Sequence, residues 1–147
     1  MLHFEGDQDL PLAPADLYAR LRDARFLVQC LPDVESVSQA EPHEAAGVLR
    51  PGFSFIRGTL DMHLRVTETT PGQALQVHVQ TRGIGSKSAV EARLTFTPHD
   101  AGTQAHWSAD VVELGGLLKA VPQGLLKAAA QRVIADVWKG VESRLAS

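Results

Sequence analysis

The chain has 147 residues, of which 44% are hydrophobic and 21% are charged, and its formal net charge is −3. This length fits one domain with a buried core, and the mildly acidic balance argues against nucleic acid as a partner. The single cysteine, Cys30, excludes an internal disulfide. No signal peptide is recognisable at the N-terminus, and no apolar stretch reaches the roughly 20 residues of a membrane span. We therefore expect one cytoplasmic domain over residues 1–147 that meets a membrane only peripherally, at its surface.

The N-terminal part of the chain predicts one strand followed by two short helices. Residues 2–10 form the predicted strand, and Pro14 suits the first turn of a helix because a proline lacks the N–H that would have no partner there. Asp23 is placed to cap a second short helix. That helix must end near Leu31, because Pro32 disfavours the helical conformation of the residue before it.

Residues 33 to about 113 predict an antiparallel sheet with one covered face, because apolar and polar residues alternate with a period of two. The apolar positions of this alternation are Leu60, Met62, Leu64, Val66, Leu75, Val77, Val79, Val90, Ala92, Leu94, Phe96, Ala105, Trp107, Ala109 and Val111. Sequences rich in Pro, Gly and Asp separate the segments and predict hairpin turns. Pairing across the last of these turns places Leu94 opposite Trp107 and keeps both apolar faces together.

One segment breaks this alternation. Phe53 and Phe55 have the opposite parity to Leu60 and Met62. A bulge near Gly58 would restore the pattern, since glycine is a common bulge residue.

A long amphipathic helix is predicted to follow Gly115-Gly116 and to end near Leu145. It either begins at Pro122 or contains a short helix that is kinked there. Its apolar stripe consists of Leu126, Ala130, Val133, Ile134, Val137, Trp138, Val141 and Leu145. We favour a helix that covers the sheet over one that lies on a membrane, because without it the apolar face of the sheet would be bare.

This order of elements predicts an α+β helix-grip fold. About seven antiparallel strands curve around the C-terminal helix, and two short helices follow strand 1. Such a sheet does not close tightly everywhere, so we expect an apolar ligand cavity. Its predicted lining is Leu60, Met62, Leu64, Val77, Val79, Val90, Leu94, Trp107, Leu126, Val133 and Val137. For Trp107 and Trp138, plain core packing stays open as the alternative.

Four short motifs carry a family resemblance: Phe4-Glu5-Gly6, Pro11-Leu12-Ala13-Pro14, Leu21-Arg22-Asp23-Ala24 and Cys30-Leu31-Pro32-Asp33-Val34-Glu35. They resemble the "F-x-G", "L-x-A-P", "L-x-D-P" and "C-L-P-G-V-E" elements of the CoxG family of carbon monoxide dehydrogenase subunits, within the START-like SRPBCC superfamily. Asp33 stands where that family has glycine. The resemblance implies a START-like fold and a non-catalytic accessory that carries a lipid or quinone for a molybdenum-containing dehydrogenase complex.

Patterns for catalysis and metal binding are weak. His63 and His78 face outward on neighbouring strands, but two ligands without a third make a poor zinc site, so we expect surface residues and no metal. Cys30 is expected to be a packing residue. We predict no catalytic residue and no cofactor. Two alternatives stay open: a small cyclase- or hydratase-type enzyme and a pure interaction subunit with a vestigial cavity. The enzyme would use inward polar side chains, for which the candidates are Ser54, Thr81, Ser86 and Ser88.

Overall fold

The computed structural model describes residues 2–53 and 57–146, and within them the chain forms a seven-stranded sheet, three α-helices and a 3₁₀ helix. The strands are β1 (His3–Leu10), β2 (Val34–Ala40), β3 (Glu44–Leu49), β4 (Leu60–Thr70), β5 (Ala74–Gly83), β6 (Ser86–His99) and β7 (Gly102–Gly116). The helices are α1 (Pro14–Leu21), α2 (Ala24–Cys30) and α3 (Gln123–Leu145), and the 3₁₀ helix spans Leu117–Ala120.

The strands lie in the order β1-β7-β6-β5-β4-β3-β2, and every neighbouring pair is antiparallel. The sheet curves around α3, whose Val141 is buried in the same core as Leu17, Leu64 and Leu75. A one-sided sheet must cover its apolar face, and α3 is the element long enough to do so. The helix-grip prediction is therefore confirmed.

The start and end signals of the short helices act as the sequence predicts. Pro14 occupies the first turn of α1. The side chain of Asp23 accepts a hydrogen bond of 2.9 Å from the backbone N–H of Arg25, which caps α2. The α2 helix ends at Cys30, because Leu31 takes an extended conformation before Pro32.

The strand alternation is also confirmed. The inward residues of β4 are all buried, namely Leu60, Met62, Leu64 and Val66. Leu94 of β6 lies opposite Trp107 of β7, as predicted. Beyond the prediction, the register of these two strands shifts between Ala89 and Val90, which marks an irregularity in the longest pair of the sheet.

The predicted bulge near Gly58 is wrong. Phe53 and Gly58 both lie in the connection between β3 and β4, and strand pairing resumes only at Leu60. Gly58 has a φ of +96°, which suits a turn that a residue with a side chain rarely adopts. Phe55 lies outside the described residues.

The break before α3 has a different form from either alternative that the sequence left open. Strand β7 continues to Gly116, the 3₁₀ helix follows, and Pro122 is the N-cap of α3. Gly116 has a φ of +63°, and a Cβ atom there would lie 1.8 Å from the carbonyl oxygen of Gly85. The chain therefore turns at a backbone contact that only glycine permits, and a separate short helix precedes an unkinked start of α3.

Candidate functional site

Two adjoining apolar chambers lie between the sheet and α3. The first has a volume of about 260 Å³ and reaches the connections before β2 and after β3. The second has a volume of about 220 Å³ and lies towards α2 and the C-terminal half of α3. The residues that line both are Leu31, Val79, Val90, Ala109, Val133 and Ile134. Because these walls are shared, the chambers are two parts of one elongated cavity.

Most of the predicted lining residues border this cavity. Those on the first chamber are Leu60, Val79, Val90 and Val133, and those on the second are Leu64, Val77, Val79, Val90, Leu94, Trp107, Val133 and Val137. Their common parity on the strands, or their spacing on α3, turns them inward.

Two predicted residues lie outside both chambers. Met62 is 3% exposed and packs in the hydrophobic core, so its side chain fills space rather than bordering it. Leu126 lies in the first turn of α3, where it borders a separate pocket with Leu118 and Val121 of the preceding segment. The helical stripe identified its apolar face but could not show that the 3₁₀ helix, rather than the sheet, lies against this turn.

Residues in connections complete the first chamber, and the sequence analysis did not assign them to it. Leu31 and Pro32 come from the segment between α2 and β2, and Pro51 and Phe53 come from the segment after β3. The guanidinium carbon of Arg132 on α3 lies 5.8 Å from the centroid of the Phe53 ring, at cation–π distance. Periodicity assigns no face to a residue in a connection, so only their apolar character hinted at this position.

Both tryptophans line the second chamber. Trp107 lies opposite Gly6 of β1, and a Cβ atom on Gly6 would lie 2.9 Å from Trp107 Cζ2. The indole therefore rests directly on the backbone of β1, which explains why glycine is suited to this position.

An open groove of about 780 Å³ runs between β1 and α3 beside the second chamber. Trp107, Ile134 and Trp138 line both the groove and the chamber. Across the groove, the side-chain amide of Gln8 donates a hydrogen bond to the carboxylate of Glu142. The tryptophan side chains thus form the wall between the apolar interior and a groove with polar edges.

The chambers contain little chemistry. Among the described residues, Asp33 is the only charged one that lines either of them. The hydroxyls of Thr81 and Ser88 border the first chamber and lie 2.6 Å apart. Of the other polar candidates, Ser86 lies outside both linings at the start of β6, and Ser54 falls outside the described residues.

The histidines and the cysteine lie away from the cavity lining. His63 and His78 lie 3.6 and 3.7 Å from carboxylate oxygens of Glu44 and Glu91 on the outer face of the sheet. In the described part of the chain, no group of three His, Cys, Asp or Glu residues is placed to hold a metal ion. Cys30 is buried, and this burial raises the pKa of its thiol to about 11 despite the nearby positive charge of Arg144.

An apolar cavity between a curved antiparallel sheet and one long C-terminal helix defines a START-like protein. A conserved protein from Geobacillus kaustophilus has this fold, with a TM-score of 0.85, 23% identity and coverage of 99% of this chain and 95% of that one. A START superfamily protein from Mycobacterium smegmatis gives a TM-score of 0.67 at 14% identity, covering 97% and 95%. A STAR-related lipid transfer protein from Xanthomonas axonopodis gives 0.63 at 21%, covering 99% and 86%. At these identities the likeness shows the fold.

Sequence comparison defines the family within this class. Residues 6–146 match the profile of the CoxG family of carbon monoxide dehydrogenase subunits, so the chain belongs to that family. The resemblance carried by the motifs around Gly6 and Cys30 is thereby confirmed. No curated protein is significantly similar to the chain.

Proposed function

We propose that this protein is a non-catalytic carrier that holds a lipid- or quinone-like molecule in the cavity between the sheet and α3. The observation that carries the proposal is the pair of adjoining chambers with almost entirely apolar walls. Protein interiors are normally close-packed, and an unfilled apolar space costs stability. A cavity of this kind is therefore better explained by an apolar occupant than by packing alone.

The lining also favours binding over catalysis. General acid–base chemistry needs positioned titratable groups within reach of the reacting atoms. Within the described residues, Asp33 is the only such group on the chambers, and the side chains of Thr81 and Ser88 bond to each other. The cyclase- or hydratase-type alternative therefore has less support than the carrier.

Family membership supports an accessory role beside a molybdenum-containing dehydrogenase. The family takes its name from one of the subunits of carbon monoxide dehydrogenase. A carrier with an enclosed apolar cavity would serve such an enzyme by moving a poorly water-soluble molecule to or from it. We place this exchange in the cytoplasm, at the inner face of the membrane.

Exposed apolar side chains support a peripheral contact with that membrane. In the described part of the chain, no helix has the length and apolarity to cross a bilayer. Ile84 is 43% and Leu117 66% exposed, and a Cβ atom on the intervening Gly85 would lie 3.6 Å from Leu117 Cδ1. Arg82 and Lys119 are exposed beside them in sequence, which suits an anionic surface.

Vesicle co-sedimentation tests this contact. Vesicles of phosphatidylcholine with phosphatidylglycerol should retain the wild-type chain, and the double variant I84S/L117S should be retained less. The control is Val37→Ser, which removes an exposed apolar side chain from edge strand β2. Equal retention of wild type and I84S/L117S would remove the membrane contact from the proposal.

Native mass spectrometry of the freshly purified protein, followed by organic extraction, tests the carrier itself. We expect a bound lipid or quinone whose mass the extraction identifies. A mass equal to that of the bare chain, unchanged after incubation with lipids and quinones, would contradict the carrier. That outcome would favour the interaction-subunit alternative.

A further inference from the structure

The first chamber contains one polar feature that the carrier function does not by itself explain. Thr81 of β5 and Ser88 of β6 are directly paired in the sheet, and their hydroxyl oxygens lie 2.6 Å apart. Both are half-buried, and both have the inward parity of Val79 and Val90. They also border a shallow depression on the outer face, but this shared parity turns their side chains towards the chamber.

The bond between the two hydroxyls leaves hydrogen-bonding capacity unused. A hydroxyl group has one hydrogen and two acceptor lone pairs. When one hydroxyl donates to the other, one hydrogen and several lone pairs remain available. Neighbouring walls such as Leu60, Val79 and Val111 are apolar and offer them no partner. Polar groups next to an apolar space are stabilised by a ligand that completes these bonds.

The charges around the cavity restrict what such a ligand can be. Among the described residues, no Lys, Arg or His lines either chamber, and the exposed Asp33 carries the only formal charge. A carboxylate or phosphate placed there would lose its hydration without gaining a positive partner. An ammonium group would find a partner only at Asp33, beside the mouth-forming connection before β2. A ligand head held between β5 and β6 must therefore be uncharged.

We infer that Thr81 and Ser88 anchor the uncharged, oxygen-bearing head of the ligand, a carbonyl or hydroxyl group, at one end of the cavity. The apolar body then extends through the shared walls into the second chamber, towards Trp107. This inference rests on the proposed carrier function and adds the orientation and the class of headgroup. A quinone carbonyl and the ester or hydroxyl of a neutral acylglycerol share this chemistry.

Matched ligands separate the anchor from general apolar binding. The probes are 2-hexyl-1,4-naphthoquinone, its oxygen-free analogue 2-hexylnaphthalene, a monoacylglycerol, and decanoate paired with decanol. The variants are T81V, S88A and T81V/S88A, which remove one or both hydroxyls with little change of shape. The control is Thr95→Val, which makes the same change at an exposed position of β6. Isothermal titration calorimetry gives Kd for each pair.

We expect wild type to bind the naphthoquinone more tightly than the hydrocarbon, and decanol more tightly than decanoate. T81V/S88A should weaken the naphthoquinone about three- to tenfold, as expected for loss of one hydrogen bond, and leave the hydrocarbon unchanged. T95V should bind every probe as wild type does. The tighter of the naphthoquinone and the monoacylglycerol identifies the source of the head.

The outcomes also distinguish the anchor from the carrier. Equal affinity of wild type and T81V/S88A for the naphthoquinone, or equal weakening of the hydrocarbon, would overturn the anchor and leave the carrier standing. Failure of every probe to bind wild type would overturn the carrier and the anchor together. Circular dichroism checks that each variant folds, and S88A alone decides the question if the double variant does not.

Discussion

Cys30 shows how local context sets the chemistry of one residue. Its thiol lies at the last residue of α2, donates to the carbonyl oxygen of Phe26 at 3.3 Å, and is 3% exposed. Burial disfavours the thiolate, and a helix C-terminus adds no stabilisation for a negative charge. The packing role expected from the sequence is the role that these contacts support.

We therefore predict that Cys30 is nearly inert in the folded protein. With the pKa raised from 9.0 to about 11, the thiolate fraction at pH 8 falls about 100-fold, and burial slows attack further. Reaction with 5,5′-dithiobis(2-nitrobenzoate) at pH 8 measures this rate. The same chain in urea is the control and should react fully. Equally fast reaction of the folded chain would show that the thiol is accessible.

His3 provides a second prediction at this scale, one of pH dependence. It lies opposite Asp110 across β1 and β7, and hydrogen bonds from its ring to Asp110 and then to Glu5 raise its pKa above 6.5. The raised pKa means that the charged form is favoured in the folded state. Its contribution to stability is therefore present below pH 6.5 and is lost as the pH rises through the native pKa.

An NMR titration of the His3 ring measures this shift. Asp110→Asn should bring the His3 pKa back towards 6.5, because it removes the larger of the two causes. Asp9→Asn changes an exposed carboxylate on the same strand and should leave the His3 pKa as it is. An unchanged His3 pKa in Asp110→Asn would contradict the assigned cause.

At the scale of elements, the contact between α2 and α3 positions one wall of the cavity. A Cβ atom on Gly140 would lie 2.4 Å from the carbonyl oxygen of Cys30, so the two helices approach at a glycine. Arg144 of α3 donates to the carbonyl oxygen of Gln29 at 3.0 Å, which satisfies one of the free carbonyls at the end of α2. Leu31, the next residue, lines both chambers.

Gly140→Ala should destabilise the protein although alanine is the better helix former. The gain in helix propensity is about 1 kcal/mol. A contact of 2.4 Å with backbone cannot be relieved by a side-chain rotation, and overpacking of this kind costs about 1–3 kcal/mol. The net effect should be a lower free energy of unfolding in urea.

Gly124→Ala on the same helix is the matched control. Nothing lies within 4 Å of a Cβ atom at Gly124, so this variant should be neutral or stabilised by about 0.5 kcal/mol. If Gly140→Ala were as stable as Gly124→Ala, the close approach of α2 and α3 would not hold in solution.

At the scale of the whole molecule, Ala109 controls the continuity of the cavity. It lines both chambers, and its side chain lies between Val79, Val90 and the helix residue Val133 in the shared wall. A larger side chain here would separate the chambers without touching the outer surface. This position therefore separates the effect of cavity shape from that of surface change.

Ala109→Leu should abolish ligand binding while the protein still folds. In wild type, 2-hexyl-1,4-naphthoquinone at 100 times its Kd should stabilise the folded state by about 2.7 kcal/mol. Ala109→Leu should lose this stabilisation, which a thermal-unfolding assay with and without the quinone measures. Ala128→Leu, exposed on α3, should keep it. An undiminished shift in Ala109→Leu would place the ligand outside the chambers.

The residues that the sequence assigned correctly are those whose position follows from local rules. Val77, Val79, Val90 and Leu94 border the cavity because alternation fixes which face of a strand each residue occupies. Capping at Asp23 and the break before Pro32 are likewise set by neighbours in the chain. The family assignment came from motifs of the same local kind, and the profile match over residues 6–146 confirms it.

What the sequence by itself determined is thus the order of the elements, the inward face of each and the family. The tertiary structure decided how much space those faces leave and what closes it. Met62 and Leu126 share the predicted faces but lie outside the chambers, whereas Leu31 and Phe53 line them from connections without periodicity. The reason is physical. A face is a property of neighbouring residues, but a cavity depends on the distance between elements far apart in the chain, and no local pattern encodes that distance.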